Sequence, residues 1–158
     1  MQTAQNQNSV VHNTFSIERT YPAAPARVFA AFANQATKRR WFAEGEGWEV
    51  DEFTLDFRVG GHEISRFCFK GGAPMGNDTV YLDIVPDQRI VLAYTMLVGD
   101  RRISVSLATV EIAPADDGAR LVYTEQATFL EGADETKGRE RGCRELLEKL
   151  GEELQEYP

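Results

Sequence analysis

The sequence predicts an α+β domain in which a curved antiparallel sheet carries a long C-terminal helix across one face. Two observations predict it. From Trp48 to Leu130, apolar and polar residues alternate in short runs that Gly, Pro, Asn and Asp interrupt at regular intervals, which is the pattern of an antiparallel meander. Beyond it, over about residues 133–157, the apolar period becomes helical: Cys143, Leu147, Leu150 and Leu154 fall on one stripe, with Leu146 beside them. A helix this one-sided has to bury its stripe, and the sheet is the partner at hand.

Each element follows from its residues. Residues 1–13 are polar and rich in Gln and Asn, without the apolar stretch of a secretory signal; they are read as a disordered tail. Residues 14–157 then make a single domain of ordinary size. Phe15, Ile17 and Tyr21 share one face of a half-buried strand, which Pro22 and Pro25 end. Pro25 suits the first turn of a helix, and Val28, Phe29 and Phe32 give residues 27–33 one apolar face. Asn34 can cap a second short helix running to about Arg40, and Trp41-Phe42 closes it, plugging the core or lining its edge. Lys38-Arg39-Arg40 reads as the solvated, cation-favouring end of that helix.

After the loop 44–47, Trp48 and Val50 alternate, as do Phe53, Leu55, Phe57 and Val59. Gly60-Gly61 is a two-residue hairpin signal. A return strand over 62–69, a loop over 70–78, and strands over 79–85, 89–98, 101–113 and 119–130 complete the meander. Along the last helix, Glu140–Arg144, Arg141–Glu145 and Glu145–Lys149 are i,i+4 pairs on its other faces. Gly138 and Gly142 also sit four apart there. They mark room for a ligand, close approach of helix to strand, or a fraying end.

Composition excludes several functions. The net charge is −8, which argues against nucleic acid and anionic membrane as partners. No apolar run approaches the roughly 18 residues of a membrane span. Cys68 and Cys143 stand apart from any paired spacing; nothing forces a disulfide between them, and the preferred reading is free, reduced and buried cysteines in a cytoplasmic protein, with no metal site and no cofactor implied. No nucleophile elbow, phosphate loop or zinc motif occurs, and the two histidines are His12 and His62.

The acidic candidates are Glu63, Asp83 and Glu125. By strand period, Glu63 shares a face with Ser65, Phe67 and Phe69, Asp83 with Tyr81, and Glu125 with Leu121 and Tyr123. If those faces point inward, three carboxylates enter an apolar cavity, where burial raises pKa values and a general acid and base become available. If not, they face solvent or pair with Arg19, Arg66 or Arg89. Trp41, Trp48, Phe67, Tyr81, Tyr94 and Tyr123 are read as core or as a ligand box, the phenols being able to orient a ligand.

Five segments together carry a family resemblance. They are I-E-R-T-Y-P-A-A-P-A-R-V-F-A-A-F over 17–32, Arg40-Trp41-Phe42, D-F-R-V-G-G over 56–61, Y-L-D-I-V-P-D-Q-R-I-V over 81–91 and G-A-R-L-V-Y-T-E-Q over 118–126. With the long terminal helix they resemble activator of Hsp-90 ATPase homologue-like domains, part of the START-like or SRPBCC superfamily, over nearly all of residues 14–156. The resemblance implies a helix-grip, Bet v-like fold whose terminal helix encloses a cavity. It implies three functions: binding of a small hydrophobic or aromatic molecule, a polyketide cyclase or hydratase-like activity using a cavity carboxylate, or a chaperone-binding module. The last is disfavoured, since the chain is read as having no second domain to grip a large partner. A homodimer is compatible with the chain but specified by no residue. The sequence departs from the family at His62-Glu63, where a basic residue and then an aromatic are frequent, and at Glu125, where a histidine is common. It departs again at Gly142-Cys143, where Gly-Trp is common; Cys for Trp enlarges the pocket. The cavity candidates are therefore Trp41, Trp48, Glu63, Ser65, Phe67, Tyr81, Asp83, Tyr94, Tyr123, Glu125, Gly142, Cys143 and Leu146.

Overall fold

The backbone alternation of the meander produces seven strands in one antiparallel sheet. The computed structural model describes residues 9–130 and 136–157. In chain order the elements are β1 (Val11–Tyr21), α1 (Pro25–Ala33), α2 (Gln35–Lys38), a π-helical turn (Arg39–Ala43), β2 (Trp48–Leu55), β3 (His62–Phe69), β4 (Met75–Val85), β5 (Arg89–Val98), β6 (Arg101–Ala115), β7 (Gly118–Phe129) and α3 (Thr136–Glu156). The strands lie in the order β1-β7-β6-β5-β4-β3-β2. The six consecutive strands therefore form a plain meander, and β1 closes onto β7 at its far side. This is the helix-grip arrangement, with α3 gripped by the sheet. Among the described residues no helix is long and apolar enough to cross a membrane.

Beyond shifts of one or two residues at other ends, three boundaries differ from the sequence reading. β1 starts at Val11 rather than Phe15, because Val11, His12 and Asn13 find ladder partners in Phe129, Thr128 and Ala127; the rest of the expected tail, to residue 8, lies outside the described residues. β4 starts at Met75, although its composition there reads as loop, because β3 offers paired positions, Phe67 to Met75 and Arg66 to Gly76. The Gly60-Gly61 hairpin is in fact a longer connection over 56–61. Gly60 alone takes a positive φ, 83°. Gly61 is needed for a different reason: a side chain there would lie 2.1 Å from the Asp56 carbonyl oxygen.

The helices form as their residues dictate. Pro25 occupies the start of α1. Asn34 Oδ1 accepts the Thr37 N–H at 3.0 Å and caps α2. The chain then widens, the Glu44 N–H reaching back five residues to the Arg39 carbonyl at 3.0 Å. Such π-helical turns recur at functional sites; this one seats Trp41 and Phe42 side by side. Trp41 Nε1 donates to the Ala31 carbonyl at 2.9 Å, which locks the turn onto α1.

The predicted stripe of α3 is buried at Cys143, Leu147, Leu150 and Leu154, against Ile17 and Tyr21 of β1, Val28 and Phe32 of α1, and Leu121 of β7. Full burial of each such leucine contributes about 1.5–3 kcal/mol. The Tyr21 hydroxyl donates to the Leu147 carbonyl at 2.8 Å, so β1 and α3 are also tied by a buried hydrogen bond.

Candidate functional site

Between α3 and the concave face of the sheet the side chains leave a cavity of about 330 Å³. That volume lies at the lower end of the range for small-molecule sites. The helix side of the wall is thinned by Gly138 and Gly142, where an added Cβ would meet nothing within 4 Å. Close approach of helix to strand is therefore not why these glycines are there. On the sheet side, strand period two delivers Glu63, Ser65 and Phe67 from β3, Asn77 and Thr79 from β4, Leu92, Tyr94 and Met96 from β5, and Tyr123 from β7. Trp41 and Phe42 of the π-helical turn, with Leu146 of α3, add apolar wall. Trp48, 37 % exposed, marks a side on which the cavity reaches solvent.

A buried ion pair stands at each side of this space. On one, Glu125 of β7 is fully enclosed. Its Oε2 accepts from Arg139 Nη1 at 3.0 Å and from the Ser106 hydroxyl at 2.9 Å. Its Oε1 accepts from the Tyr123 hydroxyl at 2.6 Å and from the Cys143 thiol at 3.6 Å, and the Tyr94 hydroxyl lies within 3.0 Å of both oxygens. Arg139 is held further by Ser104, 2.7 Å from Nη2, and by the faces of Phe129 and Tyr94. Burial, then the Glu125 charge, pushes the Tyr94 phenol well above its ordinary range. Burial does the same to Tyr123. The Cys143 thiol is pushed up to about 12 by burial and by Glu125. All three stay protonated and donate. The carboxylate is thereby saturated, so Glu125 organises the wall and has no lone pair left for general-base work.

On the other side, Glu63 Oε1 accepts from Lys38 Nζ at 2.5 Å and from the Tyr81 hydroxyl at 2.6 Å. Lys38 is 5 % exposed and lies over the Phe42 ring. Burial, then Glu63, raises the Tyr81 phenol. Among the described residues Glu63 Oε2 has no hydrogen-bond partner. Two further oxygens nearby are orphaned: Ser65 Oγ and Asn77 Oδ1 are enclosed and unpaired.

Of the cavity candidates, the structure brings Trp41, Trp48, Glu63, Ser65, Phe67, Tyr94, Tyr123, Gly142, Cys143 and Leu146 to the wall. Tyr81 and Glu125 lie just behind it and hold wall residues in place. Asp83 is corrected outright. The ladder slips between Tyr81 and Asp83, so the period-two parity breaks, and Asp83 turns outward to pair with Arg89 at 2.6 Å. Cys68 is half-buried rather than buried, and both cysteines are free. The sequence reading missed Lys38, Arg139, Asn77 and Thr79. A signal existed for two of them: Lys38 is one turn before Phe42, and Arg139 one turn before Cys143, so each lies on an inward stripe.

The chain's similarities agree with this geometry. It matches the model of the family described as Activator of Hsp90 ATPase homolog 1-like protein over residues 22–156. The crystal structure of the Mll3558 protein from Rhizobium loti is 56 % identical, with a TM-score of 0.86 over 92 % of this chain and 99 % of that one. An uncharacterised protein from Rhizobium leguminosarum is 39 % identical, with a TM-score of 0.91 over 94 % and 98 %. The AHSA1 protein from Silicibacter pomeroyi is 27 % identical, with a TM-score of 0.75 over 90 % and 98 %. No curated protein matches the chain. With a family match that takes in strands β2 to β7 and the gripping helix, the chain belongs to the Activator of Hsp90 ATPase homolog 1-like family, within the START-like fold.

Proposed function

We propose that the protein binds a small hydrophobic or aromatic molecule between α3 and the sheet. The observation that carries this reading is the cavity of about 330 Å³ walled by aromatic and aliphatic side chains, beside a helix that presents two glycines to open space. A core without a ligand to hold would gain by filling that volume, since interiors otherwise pack to crystal density. Native against denatured mass spectrometry tests it, followed by a thermal-shift screen of aromatic and lipid-like compounds. Gly142→Leu, which places a side chain in the open space, is expected to abolish the shift given by any hit. A hit whose shift survives that substitution binds elsewhere.

Glu63 supports a second reading, an enzyme of the cyclase or hydratase kind. It is a buried carboxylate at the cavity wall with one oxygen held by Lys38 and Tyr81 and the other unpartnered. In that reading Oε2 takes or delivers the proton. Glu63→Gln would then lose turnover while keeping ligand affinity; equal turnover in the variant sinks it.

A further inference from the structure

Ser65 and Asn77 face one another across β3 and β4 in the ladder register. Both line the cavity, and the hydroxyl of one and the amide oxygen of the other are enclosed without any hydrogen bond. Buried polar atoms in native proteins are nearly always paired, and each unpaired one is costly. Ser65 on β3, two residues from Glu63 and its open Oε2, and Asn77 beside it on β4 form a row of unpartnered polar groups at the wall of one cavity. The charges beside them are already matched, Lys38 by Glu63 and Arg139 by Glu125. The other charged groups that line the cavity, Glu145 and Lys149, sit on its solvent-facing side, Lys149 bonded to the Glu44 carbonyl, so a ligand ion is drawn toward solvent and away from Ser65 and Asn77.

From this we infer that the cavity recognises a neutral ligand through a hydroxyl group seated between Ser65 and Asn77, the rest of the molecule lying against Phe67, Leu92 and Met96. This rests on the binding function proposed above and specifies its chemistry. The hydroxyl donates to Asn77 Oδ1 and accepts from Ser65 Oγ–H, so the ligand group both gives and receives a hydrogen bond. Both protein oxygens lie below the wall, and side-chain rotation brings them to the ligand. Ser65→Ala and Asn77→Leu remove the subsite while leaving the apolar wall.

The test is a matched set of probes, 2-naphthol, naphthalene and 2-naphthoate, titrated into the wild-type protein and into the Ser65→Ala/Asn77→Leu double variant at neutral pH. The expected result is that 2-naphthol binds the wild type about tenfold tighter than naphthalene, a difference worth one to two hydrogen bonds, and that 2-naphthoate binds more weakly than either. In the double variant the naphthol preference disappears while naphthalene affinity holds. A preference that is absent in the wild type, or that survives in the double variant, overturns the hydroxyl subsite and leaves the cavity function standing; so does 2-naphthoate binding as tightly as 2-naphthol. Should none of the three bind, the cavity function falls and this inference with it. Ser65→Ala alone guards against misfolding: it deletes an unpaired buried hydroxyl, so its melting temperature is expected at or above that of the wild type.

Discussion

Arg139 of α3 and Glu125 of β7 meet with Nη1 and Oε2 3.0 Å apart, at 10 % and 0 % side-chain exposure, so helix and sheet are joined beside the cavity by a charge pair that water scarcely reaches. Removing one member of such a pair strands the other. Arg139→Met is expected to lower unfolding stability by about 3 kcal/mol, the low end of the range for buried pairs, because Tyr94, Tyr123 and Ser106 still donate to Glu125. Urea midpoints measure it, and a variant as stable as wild type contradicts the pairing.

Lys38 and Glu63 form the opposite pair, and here the expected result is non-additive. Lys38→Met and Glu63→Gln should each cost on the order of 3 kcal/mol. The double variant should lose clearly less than the sum, since neither leaves the other unpaired. Additive losses across that cycle would mean the two groups do not interact.

Gly142 and Gly151 lie on the same helix and should respond oppositely to alanine. At Gly142 the added methyl meets open space, so Gly142→Ala should gain about 0.5–1 kcal/mol from helix propensity. At Gly151 the methyl would lie 3.3 Å from the Tyr21 ring, which is itself pinned by its bond to Leu147, so the gain should vanish or reverse. Paired melting temperatures decide this; equal gains at both sites would contradict the contrast.

Alkaline pH should unfold the protein through its buried phenols and thiol. Tyr81, Tyr94 and Tyr123 are raised above their ordinary 10.0, and Cys143 is raised from 9.0 to about 12. Each group keeps its proton when folded and surrenders it more readily when unfolded. Their contribution is therefore fully present below about pH 9 and declines as the pH climbs toward 12. Melting temperature against pH from 8 to 11, followed with phenolate absorbance in a Tyr157→Phe background because Tyr157 is half-exposed, should show a steepening fall with phenolate from the buried tyrosines appearing only on unfolding. Phenolate growing in the folded baseline for these tyrosines would refute it.

The sequence made most of the scaffold legible and less of the site. β5 was bounded on both sides because Pro86-Asp87 and Gly99-Asp100 punctuate it strongly. Asn34 was readable as a cap from its position after an apolar face. Parity then placed Glu63, Ser65 and Phe67 on one face, and that face is the cavity wall. The same reasoning failed at Asp83, because a strand slip is a property of two paired strands and leaves no mark in one. Lys38 was lost in a run of three basic residues that looks uniformly solvated, although its spacing to Phe42 says otherwise. Asn77 was lost in a stretch whose composition reads as loop, where only the partner strand makes a strand of it. The cavity itself could not be derived from periodicity, which says which side is inward but not whether the inward side is full.

β1 pairs with β7, Val11 opposite Phe129 and Tyr21 opposite Ala119. The strand made early in synthesis has its sole ladder neighbour nearly the whole domain away, and the helix that covers it comes later still. Closing so long a loop is entropically slow, and contacts of such separation lengthen folding times. The meander from β2 to β7 can zip hairpin by hairpin as it emerges from the ribosome, while β1 waits with its apolar face unclaimed. The cavity takes no side chain from β1 but needs Tyr123 of β7 and the α3 residues that cover it, so its wall is complete only once β7 and α3 have been made.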